Sequence, residues 1–327
     1  VKRPLNVLYL IRTWALGGSH TIIRLLMKHL PRDEFNIITV PYDAPGTGNA
    51  DFVRAAEREG LSVAPERIPW NSRTNFFHAR KTIQELVRKY DIDLIHAHDT
   101  QSIVLVGLGR GAYPCAAVGS PYGWWESPWH LQAKAYHWVE KNIALPRFER
   151  VYTVSQDMKR KVLEGRTPEE RIRVIHTGID LATVDGGATR EETRAALGIA
   201  EKDFVAGTVS RLFREKGHKH LLNAAATLLS RQPQLRLLIV GTGDEREALE
   251  AQAAGLGIAE RVTFTGFYLD IAGAFRAMDV FVQPSIDAEG FPTSVLEAQA
   301  AGLPVIASDI GGTKETLDVG VTGLLVP

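Results

Sequence analysis

The 327-residue chain is 45% hydrophobic and 23% charged, the balance of an ordinary globular protein with enough length for two cored domains. A formal net charge of zero offers nucleic acid no overall attraction. One cysteine, Cys115, excludes an internal disulfide and fits a reducing compartment.

No stretch approaches the ~20 apolar residues of a membrane span. The apolar run from Leu5 to Ile11 is interrupted by Asn6 and closed by Arg12, short for a signal-peptide core. A buried first strand and a cytoplasmic chain are expected. Strand-like and helix-like runs then alternate. The first half reads as strand 6–11, a glycine loop, helix 19–30, strand 36–40, loop 41–49 and helix 51–59. Short strands near Ser62 and Arg67 come next, then helix 79–90 and strand 93–97. Helix 102–110, strand 116–119, a Trp-rich loop, helix 131–145, strand 150–154, helix 156–164 and strand 172–175 complete it.

Asp185-Gly186-Gly187 breaks the pattern, which places a domain boundary there, with 1–184 and 185–327 as the two domains. The second half restarts with strand 204–209, a charged loop and helix 218–231. Strand 235–240, helix 246–254, strand 262–265, helix 269–278, strand 280–283, helix 294–301 and strand 304–307 follow. Such alternation predicts an α/β fold of two Rossmann-like, doubly wound domains facing across a cleft. Ligands in such sheets bind beyond the carboxyl ends of the strands.

The chemistry concentrates between Pro284 and Gly302, PSIDAEGFPTSVLEAQAAG. Pro292 fits the first helical turn or the residue before it, where no backbone donor is lost. The N–H groups of Thr293, Ser294 and Val295 would then face the loop unpaired, an anion site suited to phosphate. Glu289 and Glu297 flank it. Carboxylates repel phosphate but accept two hydrogen bonds from a vicinal diol, as a ribose or a hexose offers. A diphosphate with a sugar at each end, as in a nucleotide sugar, is the expected ligand; the alternative is a surface loop with a capped helix and two solvated acids.

Glu289, seven residues, then Glu297, inside PS…EGFP…LEA and continued through Pro304-Val305-Ile306-Ala307-Ser308 and Gly311-Gly312-Thr313-Lys314-Glu315, resembles the donor motif of retaining glycosyltransferases of the GT-B fold. The family is the large group 1 that includes sucrose synthases and bacterial mannosyltransferases. The resemblance implies transfer of a hexose from a UDP- or GDP-sugar to a hydroxyl acceptor (a sugar, a lipid-linked glycan or a small molecule) in cell-envelope, glycolipid or natural-product glycosylation. It implies no cofactor and no essential metal. It also implies that Glu289 orients the donor sugar, that Glu297 holds the ribose, and that Gly290, Phe291, Pro292, Thr293, Ser294 and Val295 line the donor. In Ser210-Arg211-Leu212-Phe213-Arg214-Glu215-Lys216-Gly217 the family's phosphate-binding Arg and Lys map onto Arg211 and Lys216. Gly266 and Phe267 fall in the segment whose backbone reads the base. Relatives run on by several helices past the Gly-Leu-Leu-Val-Pro segment, so this second domain is expected to be shortened at its C-terminus.

Other features carry competing readings. Gly17 and Gly18 are a tight turn or, by position after the first strand, a phosphate contact. Gly241-Thr242-Gly243 lacks the third glycine of a dinucleotide fingerprint. Asp91-Ile92-Asp93 reads as a helix end and strand start rather than a metal motif. His98 and Asp99 are expected to line the cleft, with His96 packed nearby. Tyr122 stands before Gly123 where many relatives have a His that contacts the transferred sugar, and a phenol is a poor proton carrier at neutral pH. Tyr122 and His98 are therefore candidate catalytic residues. Trp124-Trp125 form either an acceptor platform or a plug. The Tyr136–Lys141 helix leaves peripheral membrane contact open. A catalytically impaired nucleotide-sugar-binding subunit and a nucleotide-sugar epimerase are the alternative functions.

Overall fold

The computed structural model describes residues 3–11, 18–43, 49–69, 75–124, 131–287 and 289–327. The chain divides into two compact units, Val1–Thr177 and Gly178–Pro327.

In the first unit the elements run β1 (Leu5–Ile11), α1 (Gly18–His29), β2 (Phe35–Asp43), α2 (Asn49–Arg58), β3 (Ile68–Pro69), α3 (Phe76–Lys89), β4 (Leu94–Ala97) and α4 (Thr100–Gly109). Then follow β5 (Ala116–Gly119), α5 (Leu131–Val139), β6 (Arg150–Thr153), α6 (Gln156–Leu163) and β7 (Ile172–Val174). The strands form one parallel sheet in the order β3-β2-β1-β4-β5-β6-β7. Alternate residues of β1 supply two faces: Val7, Tyr9 and Ile11 pack with Ile23, Met27 and Ala56, while Leu8 and Leu10 join the core under α3 and α4. Burial on both faces is why β1 reads as an almost unbroken apolar run.

The second unit carries α7 (Ala182–Asp185), α8 (Arg190–Ala196), β8 (Phe204–Val209), α9 (His218–Leu229), β9 (Leu235–Val240) and α10 (Arg246–Gly255). It closes with β10 (Val262–Gly266), α11 (Ile271–Ala277), β11 (Val280–Gln283), α12 (Thr293–Ala300), β12 (Val305–Ser308) and β13 (Gly323–Val326). Its parallel sheet has the order β10-β9-β8-β11-β12-β13. Each sheet is thus doubly wound, with the reversal of strand order at β1/β4 in one and at β8/β11 in the other.

Several elements differ from expectation. The division falls after Thr177 rather than at 184/185. Arg276 explains the assignment of 184–188 to the second unit, since its guanidinium donates to the carbonyls of Val184, Asp185, Gly186 and Ala188. Strand β2 runs on through Pro41, given above to a loop. Pro41 is the last residue paired with β1, and the strand continues by pairing Tyr42 with Ile68 of β3. The helix expected over 131–145 is α only to Val139. A π turn (Glu140–Ala144) and a 3-10 turn (Leu145–Arg147) replace its end, because Pro146 has no N–H to continue the ladder. Helix α8 was not anticipated, although Thr189 and Glu192 close a complete capping box at its start. Strand β13 is a further addition, formed where the segment after β12 returns to the sheet edge.

Candidate functional site

In the second unit two loops leave the carboxyl ends of adjacent strands at the reversal point. One follows β8 (Ser210–Gly217) and the other follows β11 (Pro284–Pro292). Their closeness depends on glycine. Gly217 has φ +66°, and a methyl group there would lie 1.9 Å from the Pro284 carbonyl oxygen. Gly311 has φ +54°, and a methyl there would lie 1.9 Å from the Glu289 carbonyl oxygen, which accepts a 3.1 Å bond from Gly312 N–H. Only glycine meets both conditions.

Glu289 is the centre of this cluster. Its Oε1 accepts from Lys216 Nζ at 2.5 Å, from Ser285 Oγ at 2.5 Å and from Gln283 Nε2 at 2.8 Å. Gln283 and Ser285 are fully buried and Glu289 nearly so. Arg211 lies in the same loop as Lys216, with its guanidinium over the Phe213 ring and 3.8 Å from Glu215. Arg214 is exposed. His218 opens α9, its Nε2 2.9 Å from Ser210 Oγ, and burial pushes its imidazole down to about 4, helped by the Lys216 charge.

Gly290 and Phe291 lead from Glu289 to Pro292, which occupies the N-cap of α12 in extended backbone. The structure corrects one expectation here. Val295 N–H is taken by the Pro292 carbonyl at 3.2 Å, which leaves the amides of Thr293 and Ser294 to face an anion. Glu297 lies one turn on, half-buried, with no hydrogen-bond partner for its carboxylate among the described residues. Burial pushes its carboxyl up to about 7. At the end of β10, Gly266 has φ +71°, its carbonyl accepts from Gly241 N–H, and Phe267 stands 64% exposed beside it. That exposure leaves an aromatic face uncovered at the strand's carboxyl end.

In the first unit the residues singled out gather around β4 and β5. His98 is buried, and its Nδ1 shares a 2.6 Å hydrogen bond with the Tyr122 hydroxyl. Its ring meets Tyr9 edge-on at 4.6 Å and lies 3.8 Å from that of His96, which bonds Ser120 Oγ. Burial, then the neighbouring His96, holds His98 well below its ordinary value. His96 is pushed down to about 3 by burial. Both rings are neutral at physiological pH, and burial raises the Tyr122 phenol.

Asp99, just past β4, is the N-cap of α4. Its carboxylate caps α4, accepting from Gln101 and Ser102 N–H at 2.9 Å and from Ser102 Oγ. Asp93 likewise binds Arg3 and Asn6 N–H, a structural role as anticipated. Trp124 is a plug: its indole donates to buried Glu140 at 2.8 Å. Burial pushes that acid up to about 8. Gly17 and Trp125 lie outside the described residues, and Gly18 begins α1. Among the described residues no group of three His, Cys, Asp or Glu side chains is placed to hold a metal, and no helix is long and apolar enough to cross a membrane.

Sequence reasoning missed Gln283 and Ser285. Their signal was available: two polar residues at the end of a buried strand, two positions apart and so directed to one side.

Residues 189–327 match the family model described as glycosyl transferases group 1, and residues 16–183 match glycosyltransferase family 4. The chain is 41% identical to a D-inositol 3-phosphate glycosyltransferase of Corynebacterium urealyticum, over 95% of this chain and 78% of that protein. It is 31% identical to an uncharacterized glycosyltransferase of Methanocaldococcus jannaschii, over 95% of this chain and 81% of that one. Among solved structures it resembles Anabaena HepE in complex with UDP-glucose (TM-score 0.85, 25% identity, 98% of this chain and 85% of that one). It also shares the fold of a sucrose-phosphate synthase from Thermosynechococcus elongatus (TM-score 0.78, 21% identity, 99% and 86%). Two parallel-sheet α/β domains with these neighbours constitute the Rossmann-like GT-B fold.

Proposed function

This chain belongs to the group 1 glycosyltransferases, and on that premise we propose that it transfers a hexose from a UDP-sugar to a hydroxyl acceptor with retention of anomeric configuration. The observation that carries the reading is the cluster at the β8/β11 reversal: a buried carboxylate, Glu289, 2.5 Å from the Lys216 ammonium, beside the open amides that begin α12. A diphosphate-linked sugar needs a cation and amide donors at its phosphates and a hydrogen-bond acceptor at its hydroxyls.

In this reading Lys216, Arg211 and the Thr293 and Ser294 amides hold the diphosphate, Glu289 the hexose and Glu297 the ribose. Gly266 and Phe267 lie at the base, and Gly290, Phe291, Pro292 and Val295 shape the wall. The bond between the anomeric carbon and the β-phosphate oxygen breaks while the acceptor oxygen bonds to the same face. The acceptor proton passes to the departing phosphate. Charge gathers on that phosphate in the transition state, where fixed cations and amides stabilise it most. Tyr122, with His98 behind it, offers a neutral hydroxyl to the reacting sugars rather than a base, since its phenol is raised by burial. The HepE complex with UDP-glucose supports the donor class, and the relatives named for D-inositol 3-phosphate support a polyol hydroxyl as acceptor. The reaction uses no metal or cofactor and takes place in the cytoplasm.

The test is thermal stabilisation by UDP, GDP and their hexoses, with and without Mg²⁺, followed by NMR of the transfer product. A ligand that binds only the folded chain raises Tm. A selective, Mg²⁺-independent shift with a retained anomer is expected. No shift from any nucleotide, or an inverted product, refutes the reading.

A further inference from the structure

Glu289 presents an asymmetry. Three donors, Lys216 Nζ, Ser285 Oγ and Gln283 Nε2, converge on Oε1, while Oε2 accepts no hydrogen bond among the described residues. A carboxylate offers about four lone-pair sites over two oxygens. A network that merely satisfied a buried acid would use both.

The two neutral donors are themselves locked. Gln283 Nε2 also donates to Ser285 Oγ at 3.0 Å, closing a triangle with Glu289. Ser294 Oγ, in the first turn of α12, donates to Gln283 Oε1 at 3.4 Å, which fixes which way the amide faces. Gln283 ends β11, a central strand of the sheet, so the support comes from a rigid element rather than the loop.

Resting on the donor-site reading above, we propose that Gln283 and Ser285 are positioning residues for Glu289, holding Oε1 so that Oε2 is the oxygen offered to the donor hexose. Their donors stay on Glu289 when Lys216 turns toward an arriving diphosphate. The carboxylate then keeps its orientation as the ion pair is shared with the phosphates. Glu289 reads one hexose hydroxyl through a single oxygen, and the pair sets donor selectivity at that hydroxyl.

The experiment compares the wild-type chain with Ser285→Ala and Gln283→Met, measuring UDP affinity by calorimetry and turnover of UDP-glucose and its 2-, 3-, 4- and 6-deoxy analogues. A hydrogen bond to a charged group supports a loss of about 10- to 100-fold in kcat on UDP-glucose. UDP affinity and Tm stay close to wild type in Ser285→Ala. On one deoxy donor, which lacks the hydroxyl that Oε2 reads, wild type and variants turn over alike. Wild-type turnover of UDP-glucose by both variants, an equal loss on every donor, or a parallel loss of UDP binding overturns the positioning role and leaves the donor-site reading standing. A wild-type chain that binds neither UDP nor UDP-glucose overturns the donor-site reading and this assignment together.

Discussion

Glu297 supplies a pH dependence that can be worked out in advance. Burial pushes its carboxyl up to about 7. The ionised form is the stronger acceptor for a ribose diol. With a pKa of about 7, the ionised share rises from about 10% at pH ~6 to about 90% at pH ~8. UDP-glucose should therefore bind about tenfold more tightly at the higher pH, equivalent to ~1.4 kcal/mol. Below neutrality binding should release a proton, which calorimetry in buffers of different ionisation enthalpy detects. UDP-glucose is the right probe, because the terminal phosphate of UDP itself titrates near pH ~6. His218, pushed down to about 4, adds no step near neutrality. Glu297→Gln should bind with a flat profile, near the wild-type value at low pH and about tenfold weaker at pH ~8. The free protein should show the opposite trend. A folded pKa raised above the ordinary value of 4.5 gives stability that is fully present below about 4.5 and lost as pH rises through about 7. Ligand-free Glu297→Gln should accordingly melt higher than wild type at pH ~8. A UDP-glucose affinity that stays flat from pH ~5.5 to ~8, or a slope that survives in Glu297→Gln, refutes the reasoning.

Lys216→Met removes the counter-charge of a carboxylate whose side chain is 5% exposed. Because Gln283 and Ser285 still donate to it, the expected cost in urea unfolding is about 2 kcal/mol, below the ~3–5 of a stripped buried pair. The double variant with Glu289→Gln should regain that stability but not turnover. Gly311→Ala forces a left-handed backbone and a clash with the Glu289 carbonyl. It should cost at least ~1–2 kcal/mol and lower UDP-glucose turnover, with melting and steady-state assays as the check. Tyr122→Phe removes the bond to His98 and should lower kcat about tenfold while UDP affinity holds. A matching loss of UDP binding would move Tyr122 out of its proposed role. Asp99→Ala deletes the cap of α4 and should cost ~1–2 kcal/mol in unfolding without changing UDP affinity.

The sequence by itself determined the alternation of strands and helices, and with it two parallel, doubly wound sheets. Apolar runs such as those at β1 and β9 can only be buried on both faces. It also fixed the start of α12, since Pro292 cannot sit deeper in a helix. The run through Glu289 and Glu297 carried the resemblance to the group 1 glycosyltransferases. Tertiary structure decided the rest. Local pattern gave no reason for β2 to pass through Pro41, because its pairing with β3 is a long-range matter. That the Asp99 carboxylate meets the α4 amides shows only in the folded chain. Trp124 became a plug through Glu140, sixteen positions away along the chain. Most of all, Lys216 and Glu289 lie 73 residues apart in sequence and 2.5 Å apart in space. Spacing along a chain records local geometry; which charges share a desolvated site is set by strand order, and strand order exists only once the sheet has formed.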